Sequence, residues 1–170
     1  ASGQAGDGPS ERPSISSSGT AVAYQSAASN LDDSGSDGKI NVFRFAVVGG
    51  NQRISRRRPG GGKAIVVPLD GDSVQASISG DGRFVAFQTA ATNLDGSDAN
   101  GVVDLAIFDS RGATVRRVAD GFGGAESNGA SLTPHLNHNG TVLGFHSFAT
   151  NLDADADSAA VTSAPYKRGN

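Results

Sequence analysis

Three loops of this 170-residue chain carry oxygen-bearing side chains at the close spacing that can wrap a hard cation: residues 32–37, residues 95–100 followed by Asp104, and residues 153–158. Ca²⁺ takes about six to eight oxygen ligands from carboxylates, amides and backbone carbonyls. Asp98, Asn100 and Asp104 form the best such set, and Ca²⁺ is the cofactor they would hold. The complete calcium loop with its closing Glu is missing, so the match is partial. Asp, Asn, Ser and Gly are also what exposed turns are made of, and a solvated loop is the competing reading of all three segments.

The imidazoles fall in one stretch, at His135, His138 and His146. Equivalent places hold Ser77, Gly80 and Gln88 in the middle of the chain and Ser14, Ser17 and Gln25 near its start, so the histidines replace polar residues rather than core ones. A metal site across them is one reading, and surface residues touching a ligand or partner are the other. Arg56, Arg57 and Arg58, with Arg53 and Lys63, form a basic cluster beside Gly60-Gly61-Gly62 that can dock an acidic partner or polyanion, with a solvated outer strand and connector as the competing reading. The spacing and the Ser or Thr of a phosphate loop are absent there. With no Cys, disulfides, thiolate metal sites and cysteine nucleophiles are excluded. No Gly-x-Ser-x-Gly elbow occurs, and the only glutamates, Glu11 and Glu126, lie in connectors, so no catalytic residue is identified.

What positions these residues is a repeat. Ser14-Ile15-Ser16 to Asn30-Leu31-Asp32 recurs as Ser77-Ile78-Ser79 to Asn93-Leu94-Asp95 and as His135-Leu136-Asn137 to Asn151-Leu152-Asp153, at offsets of 63 and 58 residues. A period of that order makes each copy one supersecondary unit that buries its apolar face against its neighbours. In the middle copy, short strands are predicted over 75–79, 83–89, 102–108 and 114–119, with turns at Gly80-Asp81-Gly82 and around Gly112. Four antiparallel strands per period describe the blade of a β-propeller. The chain is thus expected to be a single repeat domain over 1–170, all-β, with blades at about 9–58, 73–120 and 131–170 and connectors at 1–8, 59–72 and 121–130. The last blade is expected to lack its outer strand. Val22, Tyr24, Phe43, Ile78, Val85, Phe87, Leu105, Ile107, Leu136 and Phe145 are expected between blades. The recurring Asn30, Asn93 and Asn151 suit side chains that satisfy loop backbone groups.

The run Ser77-Ile78-Ser79-Gly80-Asp81-Gly82-Arg83-Phe84-Val85-Ala86-Phe87, with 104–109 and 114–118 behind it, resembles the TolB-like, WD40-like (PD40) β-propeller repeat. The Asn-Leu-Asp loops resemble those of exported bacterial surface propellers. The resemblance covers essentially the whole chain and is weakest in the third copy, where His138-Asn139-Gly140-Thr141 replaces the Asp-Gly-Arg turn. It implies a secreted, periplasmic or cell-surface location but says little about function, because propellers host binding, scaffolding and catalysis alike; the leading expectation is a non-catalytic module that scaffolds or binds within a larger assembly. A hydrolase or lyase domain with a cleft of Asp and His is the alternative. The net charge of −3 gives no general pull on nucleic acid, and no apolar stretch is long enough for a transmembrane segment. Three blades fall short of the roughly four to eight at which propellers close, so the expected partner is another copy of the chain or another protein chain that completes the ring.

Overall fold

A computed structural model of the protein describes residues 5–32, 37–57, 67–94, 98–118 and 120–153, together with the backbone of 161–165. The first sheet comprises β1 (Ser10–Ile15), β2 (Ala21–Ser26), β3 (Asn41–Ala46) and β4 (Gly50–Arg53). A two-residue ladder, β5 (Arg56–Arg57) with β6 (Val67–Pro68), follows it. The second sheet comprises β7 (Ser73–Ile78), β8 (Phe84–Thr89), β9 (Asp104–Asp109) and β10 (Thr114–Val118). The third has β11 (Ser131–Leu136), β12 (Val142–Ser147) and β13 (Val161–Pro165). Each sheet is antiparallel with strands in sequence order, which makes the molecule a partial all-β propeller of three stacked blades. Any fourth strand of the third blade falls outside the described residues.

Alternation along the strands sends successive side chains to opposite faces, and the middle blade is apolar on both. Ile78, Val85, Phe87 and Phe108 pack with Ala21, Ala23 and Val42 of the first blade, while Phe84, Ala86, Leu105 and Ile107 pack with Leu143 and Phe145 of the third. Every residue of β8 is buried as a result. Val22 and Tyr24 are only half-buried, because no described blade stands against that face of the first blade; Phe43 on the same face is buried instead by Tyr24 and Arg53. Leu136 is half-buried at the rim of the second interface.

The recurring asparagines do what their positions suggest. Asn30 Oδ1 accepts the Asp7 N–H at 3.0 Å and its amide donates to the Ala5 carbonyl; Asn93 bridges Asp70 and Pro68 in the same way, and Asn151 bridges Asn128 and Glu126. Each therefore ties the connector leading into its blade to the loop leaving the second strand.

Candidate functional site

The first strands of the three blades, β1, β7 and β11, lie side by side and share an irregularity. Register slips between Glu11 and Ser14, between Val74 and Ser77 and between Leu132 and His135. Within each slip one non-glycine residue takes a left-handed conformation: Arg12 at φ 51°, Gln75 at φ 56° and Thr133 at φ 51°. Such a conformation costs an L-residue about 1–2 kcal/mol, and a bulge of this kind re-aims the side chain it carries. Residues 12–14, 75–77 and 133–135 together line a cleft of about 410 Å³.

At Gln75 and Thr133 the bulge is braced by the preceding blade. Gln25 Oε1 accepts the Gln75 N–H at 3.0 Å, and Gln88 Oε1 accepts the Thr133 N–H at 2.7 Å. One turn along, Ser14 Oγ accepts the Ile78 N–H at 3.1 Å, and Ser77 Oγ accepts the Leu136 N–H at 3.0 Å. Both braces thus occur twice at equivalent positions. They fix the cleft floor and leave its donors exposed: the Arg12 guanidinium, which reaches Gln75 Oε1 at 3.4 Å, the Gln75 amide nitrogen, the Thr133 hydroxyl and the His135 ring. Arg12 is the one residue with a permanent charge in this lining, so the cleft favours anionic oxygens.

The structure separates the three histidines. His135 lines the cleft. His138 sits on the β11–β12 turn, its Nδ1 3.4 Å from Ser17 Oγ of the first blade. His146 stacks edge-on against Phe148, ring centroids 4.7 Å apart. Among the described residues, no three His, Asp or Glu side chains are grouped as metal ligands.

The basic cluster is also divided. Arg53 is not on the surface: it is 2% exposed, pairs with Asp32 at 3.1 Å and Asp37 at 2.7 Å, and lies over the Phe43 ring. Arg56 and Arg57 form β5 and are half-buried; Arg58 and Lys63 lie outside the described residues. Arg117 is the counterpart of Arg53 in the second blade. It pairs with Glu126 at 2.7 Å and Asp120 at 3.1 Å, and approaches Asp104 at 3.6 Å. Of the expected cation ligands Asp98, Asn100 and Asp104, Asp104 thus faces a guanidinium. Burial and the nearby Asp98 charge push the Asp104 carboxyl up to about 6 against the pull of Arg117. Asn100 is engaged at both ends, accepting the Val102 N–H at 2.9 Å and donating to the Ser127 carbonyl at 3.0 Å. Arg53 was not separable by sequence from a solvated basic cluster; the usable signal was its place on the fourth strand behind an Asp-rich loop.

No protein-family model and no curated protein matches the chain. Among solved structures it is similar to TolB from Acinetobacter baumannii, with 15% identity and a TM-score of 0.46 over 83% of this chain and 26% of that one. It is similar also to the tricorn protease, with 16% identity and a TM-score of 0.49 over 91% of this chain and 12% of that one. A putative TolB from Agrobacterium tumefaciens gives 14% identity and a TM-score of 0.35 over 84% of this chain and 71% of that one. The chain thus spans well under two thirds of the length of the first two. The propeller assignment rests on the strand order and blade stacking described above.

Proposed function

We propose that the chain is a non-catalytic, exported binding module of a larger propeller assembly, and that its inner-strand cleft takes carboxylate groups of a protein partner. The observation that carries this reading is the convergence of Arg12, Gln75, Thr133 and His135 from three equivalent strained bulges onto one cleft. Strain retained at several equivalent positions is a mark of a pre-organised site. Arg12 supplies a planar fork matched to a carboxylate, and Gln75 and His135 supply further donors. Pro13, Ala76 and Pro134 give the cleft an apolar floor suited to a peptide backbone. The Lys-poor composition, rich in Asp, Asn, Gly and Ser, supports export. Titration calorimetry with a tetra-glutamate peptide tests the site. Saturable binding, weakened at least tenfold in Arg12→Gln, is expected; absence of binding, or equal binding by the variant, overturns it.

A further inference from the structure

Among the contacts by which each blade grips the next, three pairings are each satisfied twice inside the chain. The first is the brace from Gln25 to the Gln75 N–H, repeated from Gln88 to Thr133. The second is the brace from Ser14 to the Ile78 N–H, repeated from Ser77 to Leu136. The third is a seat for the turn glycine: a Cβ on Gly82 would lie 3.3 Å from the Ala21 methyl, and one on Gly140 would fall 2.3 Å from the Phe84 ring. One half of every pairing is left over at each end of the stack. The first blade presents the Arg12 N–H, the Ile15 N–H and Gly19, which has nothing within 4 Å of a Cβ position. The third presents His146 opposite Leu132, His135 opposite Gly144, and Val142, 41% exposed, at the register positions of Gln88, Ser77 and Phe84.

Apolar surfaces match as well. Ile15, Val22, Tyr24 and Phe45 repeat the large residues Ile78, Val85, Phe87 and Phe108, and in the first blade Ile15 is 65% and Phe45 43% exposed. Opposite the large set of the second blade stand Ala21 and Ala23. The third blade offers Val142 and Gly144 at those positions.

We infer that the first blade of one molecule docks on the third blade of a second copy, His146 accepting the Arg12 N–H and His135 the Ile15 N–H, so that two copies close head to tail into a six-bladed ring. This rests on reading the chain as part of a larger propeller. A head-to-tail contact closes into a ring when its rotation allows, and six blades fall inside the range of about four to eight at which propellers close. A neutral imidazole accepts a hydrogen bond as Gln or Ser does, whereas an imidazolium cannot, so these two braces are sensitive to acid where the internal Gln and Ser braces are not. The residues beside His146, Leu132 and Phe148, are uncharged. His135 shares its cleft with Arg12, and His138 stands on the adjoining turn. The facing strand of the second copy brings Glu11 and Arg12.

Sedimentation equilibrium on the full chain tests the joint. At pH 8 the wild type should have twice the chain mass and should dissociate at least tenfold more readily at pH 5.5. The double variant His135→Ser/His146→Gln, which installs the braces of the other blades, should be dimeric at both pH values. Val22→Glu, at a half-exposed position compatible with folding, should be monomeric at both. A wild type that is monomeric at pH 8, or a dimer indifferent to Val22→Glu, overturns the ring; a dimer equally acid-sensitive in the double variant overturns the histidine braces. Arg12→Gln keeps its backbone N–H and should dimerise normally while losing peptide binding, so failure of the cleft and failure of the joint are told apart.

Discussion

The first and second blades carry the same large apolar set on the same sheet face, yet Val85 and Phe87 are completely buried while their counterparts Val22 and Tyr24 are half-exposed. Composition does not distinguish the two faces. The difference is whether a neighbouring blade stands in front, so burial here belongs to the stack and not to the unit, as expected where each repeat contacts only its neighbours.

The comparison is broken most directly by truncation on either side of it. Phe87→Ala empties a site inside the stack and is expected to cost about 3–5 kcal/mol. Tyr24→Ala in dilute protein removes a ring that solvent already reaches, although it also stacks on Phe43 at 5.6 Å, and should cost about 1–2 kcal/mol. Urea unfolding at low protein concentration checks this, and equal costs would deny that the faces differ.

Arg117→Met should cost about 3–5 kcal/mol, since removing one member of a buried ion cluster leaves its partners uncompensated. The Arg117 cluster holds Asp104, Asp120 and Glu126, and the Arg53 cluster holds Asp32 and Asp37. Arg53→Met is therefore expected to cost somewhat less in the same unfolding assay.

The turn glycines sharpen the contrast with backbone strain held constant. Gly19 has φ 68° and Gly140 has φ 65°, so alanine at either pays the left-handed penalty of about 1 kcal/mol. Gly19→Ala should cost little more, because its surroundings are open. Gly140→Ala also drives a methyl into Phe84 and should cost a further 1–3 kcal/mol or so, measurable as the gap between the two melting temperatures.

Asp104 gives a distinctive pH dependence. Its carboxyl titrates near 6 in the folded chain and near 3.9 unfolded. Between those values the folded chain holds the extra proton, so this group lowers stability as pH rises from about 4 through 6, by on the order of 2–3 kcal/mol. Asp104→Asn removes that slope. Subtracting the variant's pH–stability curve from the wild type's should show a decline over this window, and a flat difference would contradict the burial of the charge.

Much of this architecture was legible in the sequence because it depends on local patterns. Alternating runs such as Phe84-Val85-Ala86-Phe87 and turns such as Gly80-Asp81-Gly82 specify strand and hairpin through steric and burial rules that act over a few residues. Asn30, Asn93 and Asn151 were readable for the same reason. The cleft was not, because its bulges place Arg12, Gln75 and Thr133 at positive φ, and three such different side chains share no compositional mark. Pro13 and Pro134 inside strands were the available hint, since proline within a sheet is confined to edges and bulges. The offsets placed His135 and His146 at the positions of Ser77 and Gln88, but their equivalence to the Ser and Gln braces appears only when those braces are seen accepting backbone N–H groups across blades. Arg53 shows the opposite failure: adjacency to Arg56 and Arg57 in sequence concealed that it points into an acidic loop.

Hydrogen exchange at single backbone amides tests most directly whether the bare face is a blade-to-blade contact. The N–H groups of Gln75, Ile78, Thr133 and Leu136 should be protected at every protein concentration, because their acceptors lie in the same chain. The equivalent groups of Arg12 and Ile15 should exchange quickly in dilute protein and become protected as concentration rises at pH 8. Fast exchange of Arg12 and Ile15 at all concentrations would contradict it.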